Sequence, residues 1–175
     1  MKLKTRNFIL RLPKNGDEIS LWKNYNDSEV IRGFVTSPTK KQFMSDFKKG
    51  LKKKEKDAER FVIEVDGEAV GKINMKLFDP YNKTKAKIGY WIGKKYRGKG
   101  IVTEVVKLIV PYWMNKYKLS RIEARARTYN KASARVLEKS GFKLEGILRK
   151  NVLKDGKLYD DFLYARIKKW IIKIQ

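Results

Sequence analysis

Hydrophobic and polar positions change period several times along the chain, and each change marks an element. Residues 7–12 alternate apolar and polar before Pro13, which predicts a first strand. Over residues 17–26, Ile19, Leu21, Trp22 and Tyr25 share one side of a helical wheel, so a short helix is expected. Ser37-Pro38 opens a second helix, because Ser suits a cap, Pro suits a first turn, and Thr39 to Gln42 has the spacing of a capping box. Phe43, Met44, Phe47 and Leu51 form its apolar side, with Lys48, Lys49, Lys52, Lys53, Lys54 and Lys56 beyond. At Arg60 the period drops to two: residues 61–65, the turn Asp66-Gly67 and residues 69–78 read as a hairpin. A loop over Asp79-Pro80-Tyr81-Asn82 leads to a third strand over 85–92, so the middle of the chain is an antiparallel meander.

Residues 98–117 return to helical spacing through Val102, Val105, Val106, Ile109 and Val110, with Pro111 expected to kink the helix. A strand over 119–127 and a helix over 132–140 follow, the helix stopped by Gly141. Residues 142–153, the turn Asp155-Gly156 and residues 158–167 close the chain as a hairpin. No repeat or linker divides the sequence, so one domain over residues 1–175 is expected.

Composition narrows the chemistry. The 175 residues contain neither Cys nor His, which removes disulfides, the usual zinc sites, and nucleophile schemes that need imidazole or thiolate. Forty-three Lys and Arg against 19 Asp and Glu give a net charge of +24, a field that attracts phosphate-rich partners and repels polycations. The lysines of residues 48–56 are read first as a solvated face and second as a phosphate-seeking ridge. No apolar run approaches the roughly 20 residues that span a bilayer, and the start lacks a signal-peptide core, so no membrane association and a cytoplasmic setting are expected.

The stretch Ile88-Gly89-Tyr90-Trp91-Ile92-Gly93 followed by Lys94-Lys95-Tyr96-Arg97-Gly98-Lys99-Gly100-Ile101 reads as a strand, a basic glycine turn and a helix start. Glycine lets backbone approach a ligand, and a helix start offers unpaired N–H groups, so a pyrophosphate can sit there; a plain helix entry is the alternative. A Walker loop fails because Ile101 follows Gly100. A dinucleotide fingerprint fails at Thr103 and for want of a parallel sheet.

Lys95-Tyr96-Arg97-Gly98-Lys99-Gly100 resembles the pyrophosphate turn of the GCN5-related N-acetyltransferase (GNAT) superfamily, departing at Lys95. Arg121-Ile122-Glu123-Ala124, Asn130-Lys131-Ala132-Ser133, Glu138-Lys139-Ser140-Gly141-Phe142 and the closing Asp155-Gly156-Lys157-Leu158-Tyr159-Asp160 resemble the RimJ/RimL-type branch that acetylates ribosomal-protein N-termini. The resemblance implies a mixed α/β (α+β) fold: a mostly antiparallel twisted sheet of about seven strands, about four flanking helices and splayed central strands. It implies acetyl-CoA as cofactor, held by Trp91, Ile92, Arg97, Gly98, Lys99, Gly100, Ile101 and Asn130. A backbone N–H near Trp91 and Ile92 then polarises the thioester carbonyl, a task that needs no titratable side chain.

By the same resemblance Ser133, with Asn130, supplies the catalytic hydrogen bond or proton to the departing thiolate; capping of a helix is their structural alternative. Leu137 stands where many members carry an acidic Tyr, and Val152 where a Glu can stand, which leaves Glu64, Glu123, Asp160 and Asp161 as open candidates for a base. The implied acceptor is a protein N-terminus, whose amine, with a pKa of about 8, sheds its proton far more readily than a lysine near 10.4. Small-molecule amines are the alternative, with Asp17, Glu18, Asp27 and Glu29 as the acidic residues a polyamine would need and Trp22, Tyr25 and Phe34 as candidate acceptor-site walls. A basic nucleic-acid-binding module is the rival class, ribosome or nucleic-acid association a possible partner mode, and monomer or homodimer the expected state.

Overall fold

A computed structural model describes residues 2–34, 37–53, 55–78, 81 and 83–168. The elements are β1 (Lys2–Lys4), β2 (Ile9–Arg11), α1 (Asp17–Tyr25), α2 (Ser28–Arg32), α3 (Lys40–Lys52), β3 (Ala58–Val65), β4 (Glu68–Leu77) and β5 (Lys85–Ile92). After a 3₁₀ turn (Lys94–Tyr96) come α4 (Ile101–Lys116), β6 (Arg121–Arg127), α5 (Lys131–Lys139), β7 (Lys143–Lys154) and β8 (Lys157–Ile167). One sheet runs in the order β1-β2-β3-β4-β5-β6-β8-β7, antiparallel except between β5 and β6. Eight described strands exceed the expected seven because the short edge strand β1 pairs with β2, and the five-residue α2 was invisible to a periodicity argument.

The parallel pair corrects one exclusion. A right-handed crossover is the usual way to join parallel neighbours, and α4 makes this connection, so a local parallel context does exist and only Thr103 argues against a dinucleotide fingerprint. Two other expectations move. Thr39, not Ser37, caps α3, and Pro38 precedes the helix: Thr39 Oγ1 accepts from the Gln42 N–H at 3.3 Å while Gln42 Oε1 accepts from the Thr39 N–H at 2.8 Å. The long helix starts at Ile101 after Gly100 and continues through Pro111 to Lys116. The loop predicted over residues 79–82 and Lys54 of the lysine ridge fall largely outside the described residues.

Strand alternation sorts the core into two layers. Phe61, Ile63, Val70, Ile73 and Ile92 face α4 and α5, where Val105, Ile109, Trp113 and Leu137 are fully buried. Val62, Ala69 and Trp91 face the other way, against Leu21 of α1 and Phe43, Phe47 and Leu51 of α3. Residues that differ by one position in β5 therefore look into opposite halves of the molecule.

Candidate active site

The site begins where β5 and β6 part. Their pairing runs from Lys85↔Arg121 to Ile88↔Ala124 and stops, although β5 continues to Ile92 and β6 to Arg127. On its other edge the end of β5 stays paired to β4, through Gly71↔Ile92, Lys72↔Trp91 and a 2.8 Å bond from the Gly93 N–H to the Val70 carbonyl. Gly71 permits this approach, since a Cβ there would stand 2.5 Å from the Trp91 oxygen. Alternate backbone groups of residues 89–92 thus point into a wedge where β6 no longer meets them.

The glycine turn lies at the head of α4. Gly98 and Gly100 adopt φ of 74° and 76°, which a side-chain-bearing residue adopts only with strain. Gly100 is the N-cap and no side chain caps α4, so the first N–H groups of the helix stay available beside its positive dipole end. A Cβ on either glycine would meet no atom within 4 Å, so both face open space that a side chain would fill. Tyr96 braces the turn: its hydroxyl donates to Glu68 at 3.1 Å, and Lys95 and Lys99 lie over its ring at 6.0 and 5.8 Å. Arg97 Nε reaches the Ile92 carbonyl at 3.4 Å, and buried Ile101 anchors the helix start. Basic groups, free amides and an unfilled cradle suit a pyrophosphate.

At the start of α5, Asn130 Oδ1 accepts from the Ser133 N–H at 3.0 Å, so Asn130 is the helix cap. Ser133 does not cap. Its Oγ lies 3.0 Å from the Tyr90 hydroxyl, whose one hydrogen is within reach of that oxygen and of the Ser133 carbonyl at 3.2 Å. Burial pushes the Tyr90 phenol far above its ordinary range, and the Ser133 contact offsets only part of that, so the phenol stays protonated. Sequence reasoning missed Tyr90; the period of β5 placed it on the α4/α5 side, but nothing local pointed to Ser133, 43 residues away.

Leu137 is core, and Tyr129 stacks edge-on with Tyr159 at 5.6 Å. The four carboxylates considered as bases are all engaged: Glu64 by Arg11 at 2.5 Å, Glu123 by Arg121 at 2.7 Å, Asp160 by the Lys150 N–H at 2.7 Å, and Asp161 by Arg127 and Asn151. On the opposite side of β5, Trp91 meets Tyr25 edge-on at 5.4 Å, and Tyr25 touches Phe34 at 5.1 Å and Phe43 at 5.2 Å. Trp22, Tyr25 and Phe34 are thus one aromatic wall beside Trp91. Asp17 and Glu18 are buried at the start of α1, bound to Arg11 and to the Gly16 N–H, and do not form an open acidic pocket.

A mostly antiparallel sheet that opens between two parallel strands, with a basic glycine turn at a helix start beside the opening, is the architecture of acyl-CoA N-acyltransferases. A profile described as acetyltransferase (GNAT) domain matches residues 7–143, and the chain belongs to that family of acetyl-CoA-dependent enzymes. The chain is 54% identical over 69 residues to the probable N-acetyltransferase YjcK of Bacillus subtilis (strain 168), covering 39% of this chain and 38% of that one. To the ribosomal-protein-serine acetyltransferase of Escherichia coli (strain K12) it is 36% identical over 112 residues, 63% of this chain and 61% of the relative. The matches thus span less than two thirds of either relative. The solved RimL ribosomal L7/L12 α-N-protein acetyltransferase in complex with coenzyme A superposes with a TM-score of 0.84 at 20% identity, over 95% of this chain and 98% of that one, which establishes the fold.

Proposed function

We propose that the chain transfers an acetyl group from acetyl-CoA to a primary amine, and that the amine is a protein N-terminus. The observation that carries this reading is the pair of left-handed glycines at the uncapped start of α4 beside the β5–β6 wedge. Gly98, Lys99, Gly100, Ile101 and Arg97 hold the pyrophosphate by amides and positive charge, and the main chain of Trp91 and Ile92 holds the pantetheine arm in the wedge. Asn130, through its cap on α5, fixes where Ser133 stands. Acetyl-CoA, when bound, supplies an activated acetyl group and departs as a thiol.

The Ser133 hydroxyl donates a proton at the departing sulfur; when the protonated Tyr90 phenol turns its one hydrogen to Ser133 Oγ rather than to the Ser133 carbonyl, the serine hydrogen is directed outward. About a tenth of an α-amine with a pKa of about 8 is neutral at pH 7, enough to attack without a side-chain base, and the proton that the amine sheds on forming the amide returns through water to Ser133. The kinship with a relative named for ribosomal-protein serine acetylation supports the N-terminal acceptor. A polyamine acceptor loses its support, since Asp17 and Glu18 are committed to Arg11 and to the α1 start.

Free CoA release, measured with a panel of N-terminal peptides, amino acids, polyamines and aminoglycosides, tests both parts. Turnover with peptides is expected, and with polyamines none. Gly100→Val is expected to abolish acetyl-CoA binding in a titration, because it combines a strained φ with a side chain in the cradle. Unchanged affinity in that variant would refute the placement.

A further inference from the structure

A cavity of about 450 Å³ lies between α3 and the adjoining strands β3 and β4, on the Trp91 side of the sheet. Phe43, Phe47, Leu51 and Val62 give it apolar walls. Into it comes Lys72, whose ammonium stands 5.6 Å over the Phe47 ring and has neither hydrogen bond nor ion pair among the described residues. Burial, and after it the charge of Arg60, pushes Lys72 down to about 8, so it is still mainly cationic at neutral pH. A ring face offsets only a fraction of the desolvation of an ammonium.

The surrounding charges do not supply the missing anion. Arg60, Lys49 and Lys53 line the cavity with Lys72, against Asp46 and Glu55. Glu55 is held by Arg60 at 2.8 Å and Lys53 at 3.4 Å, which keep its carboxyl below the ordinary range, and Asp46 is exposed. Gly50, a residue costly inside a helix, leaves room for the Arg60 guanidinium, which would sit 3.2 Å from a Cβ there.

The cavity shares a wall with the aromatic cluster beside the transfer site. Lys72 is the cross-strand partner of Trp91, and Phe43 belongs to both the cavity wall and the aromatic wall through Tyr25. Cross-strand side chains stand roughly 5 Å apart, and an extended chain advances about 3.5 Å per residue, so a group one to three residues from an amine at the wedge reaches Lys72.

Resting on the acetyltransferase reading above, we propose that this cavity is an anion subsite for the acceptor, in which Lys72, backed by Arg60, binds a carboxylate carried close to the reacting amine. The enzyme therefore selects acidic acceptors. The carboxylate comes either from an Asp or Glu side chain near a peptide N-terminus or from the α-carboxylate of a free amino acid.

Both sources share one experiment. CoA release is measured with amidated peptides bearing Asp or Glu at positions two to four, with their Asn or Gln twins, and with free amino acids against their amides. A charge-assisted bond to a desolvated ammonium should favour each acid over its neutral twin by about tenfold or more in kcat/KM. In Lys72→Met that ratio should collapse toward one, the loss falling on KM, while Lys72→Arg keeps most of it. A preference confined to peptides assigns the side-chain source, and one confined to amino acids the α-carboxylate.

Equal acid and neutral twins in the wild type, or a ratio untouched in Lys72→Met, would overturn the subsite, as would a loss of acetyl-CoA affinity in that variant. Should no acceptor turn over, the transfer reading fails separately. Equilibrium binding of the same acid and amide pairs, followed by tryptophan fluorescence, then decides the subsite: discrimination lost in Lys72→Met upholds it, and no discrimination in the wild type rejects it.

Discussion

A proton donor without His or Cys has to be a hydroxyl, an ammonium, a guanidinium or a protonated carboxyl, and in the mechanism proposed above the Tyr90–Ser133 pair is that donor. Serine alone is a weak acid. When the phenol, which burial keeps protonated, turns its hydrogen to the serine oxygen, that oxygen has a donor behind it and its own hydrogen free. Ser133→Ala is expected to lower kcat by about 10- to 100-fold with acetyl-CoA affinity retained, and Tyr90→Phe to lower it less, because the serine proton survives. Steady-state kinetics beside a binding titration checks this, and equal kcat in all three proteins would discard the pair. Ser133 was legible only through the family resemblance of Asn130-Lys131-Ala132-Ser133, and the structure gives the capping role to Asn130. Tyr90 was not, since one-dimensional periodicity says which side of a strand a residue takes and nothing about the helix it meets.

At the scale of elements, local chemistry was readable and pairing was not. Asp66-Gly67 and Asp155-Gly156 take positive φ at both positions, as the hairpin turns require, and the strands beside them fall within a few residues of expectation. The parallel contact between β5 and β6 has no signature in either strand. Beyond its early end, β5 keeps its other edge on β4, where Gly71 and Gly93 lack side chains that would meet the Trp91 carbonyl and Asn24. The start of α3 was misjudged by two residues because Ser37-Pro38 and Thr39 both satisfy the rules for a start, and only Thr39 finds a reciprocal Gln three residues on. Thr39→Ala should therefore cost about 1 kcal/mol, or roughly 2–4 °C in Tm, while Ser37→Ala costs nothing measurable. Thermal unfolding of the two variants decides between the caps. Since α3 carries Phe43 and Phe47, loosening its start also loosens the cavity above Lys72.

For the molecule as a whole, the excess of positive charge separates into two parts that act at different ranges. Many of the 19 acidic residues are bound to cations, as Asp17 and Glu64 are by Arg11, Glu123 and Glu145 by Arg121, and Asp161 by Arg127. The unmatched lysines, among them the exposed Lys48, Lys49, Lys52 and Lys56, are left to set the outer field. That field extends about 8 Å at physiological salt and acts on encounter, whereas Lys72 sits in a partly closed cavity and acts on the bound acceptor. The two parts separate by salt. Between 0.05 and 0.5 M salt, kcat/KM for an acidic peptide should fall by about tenfold and for its neutral twin far less. Lys72→Met should keep the slope and lose the preference that remains at 0.5 M salt, while Lys48, Lys52 and Lys56 changed together to Gln should flatten the slope and keep that preference. A slope that vanished in Lys72→Met would mean that the outer lysines steer nothing, and that one ammonium beside the phenylalanine rings accounts for all the selectivity the charge composition suggests.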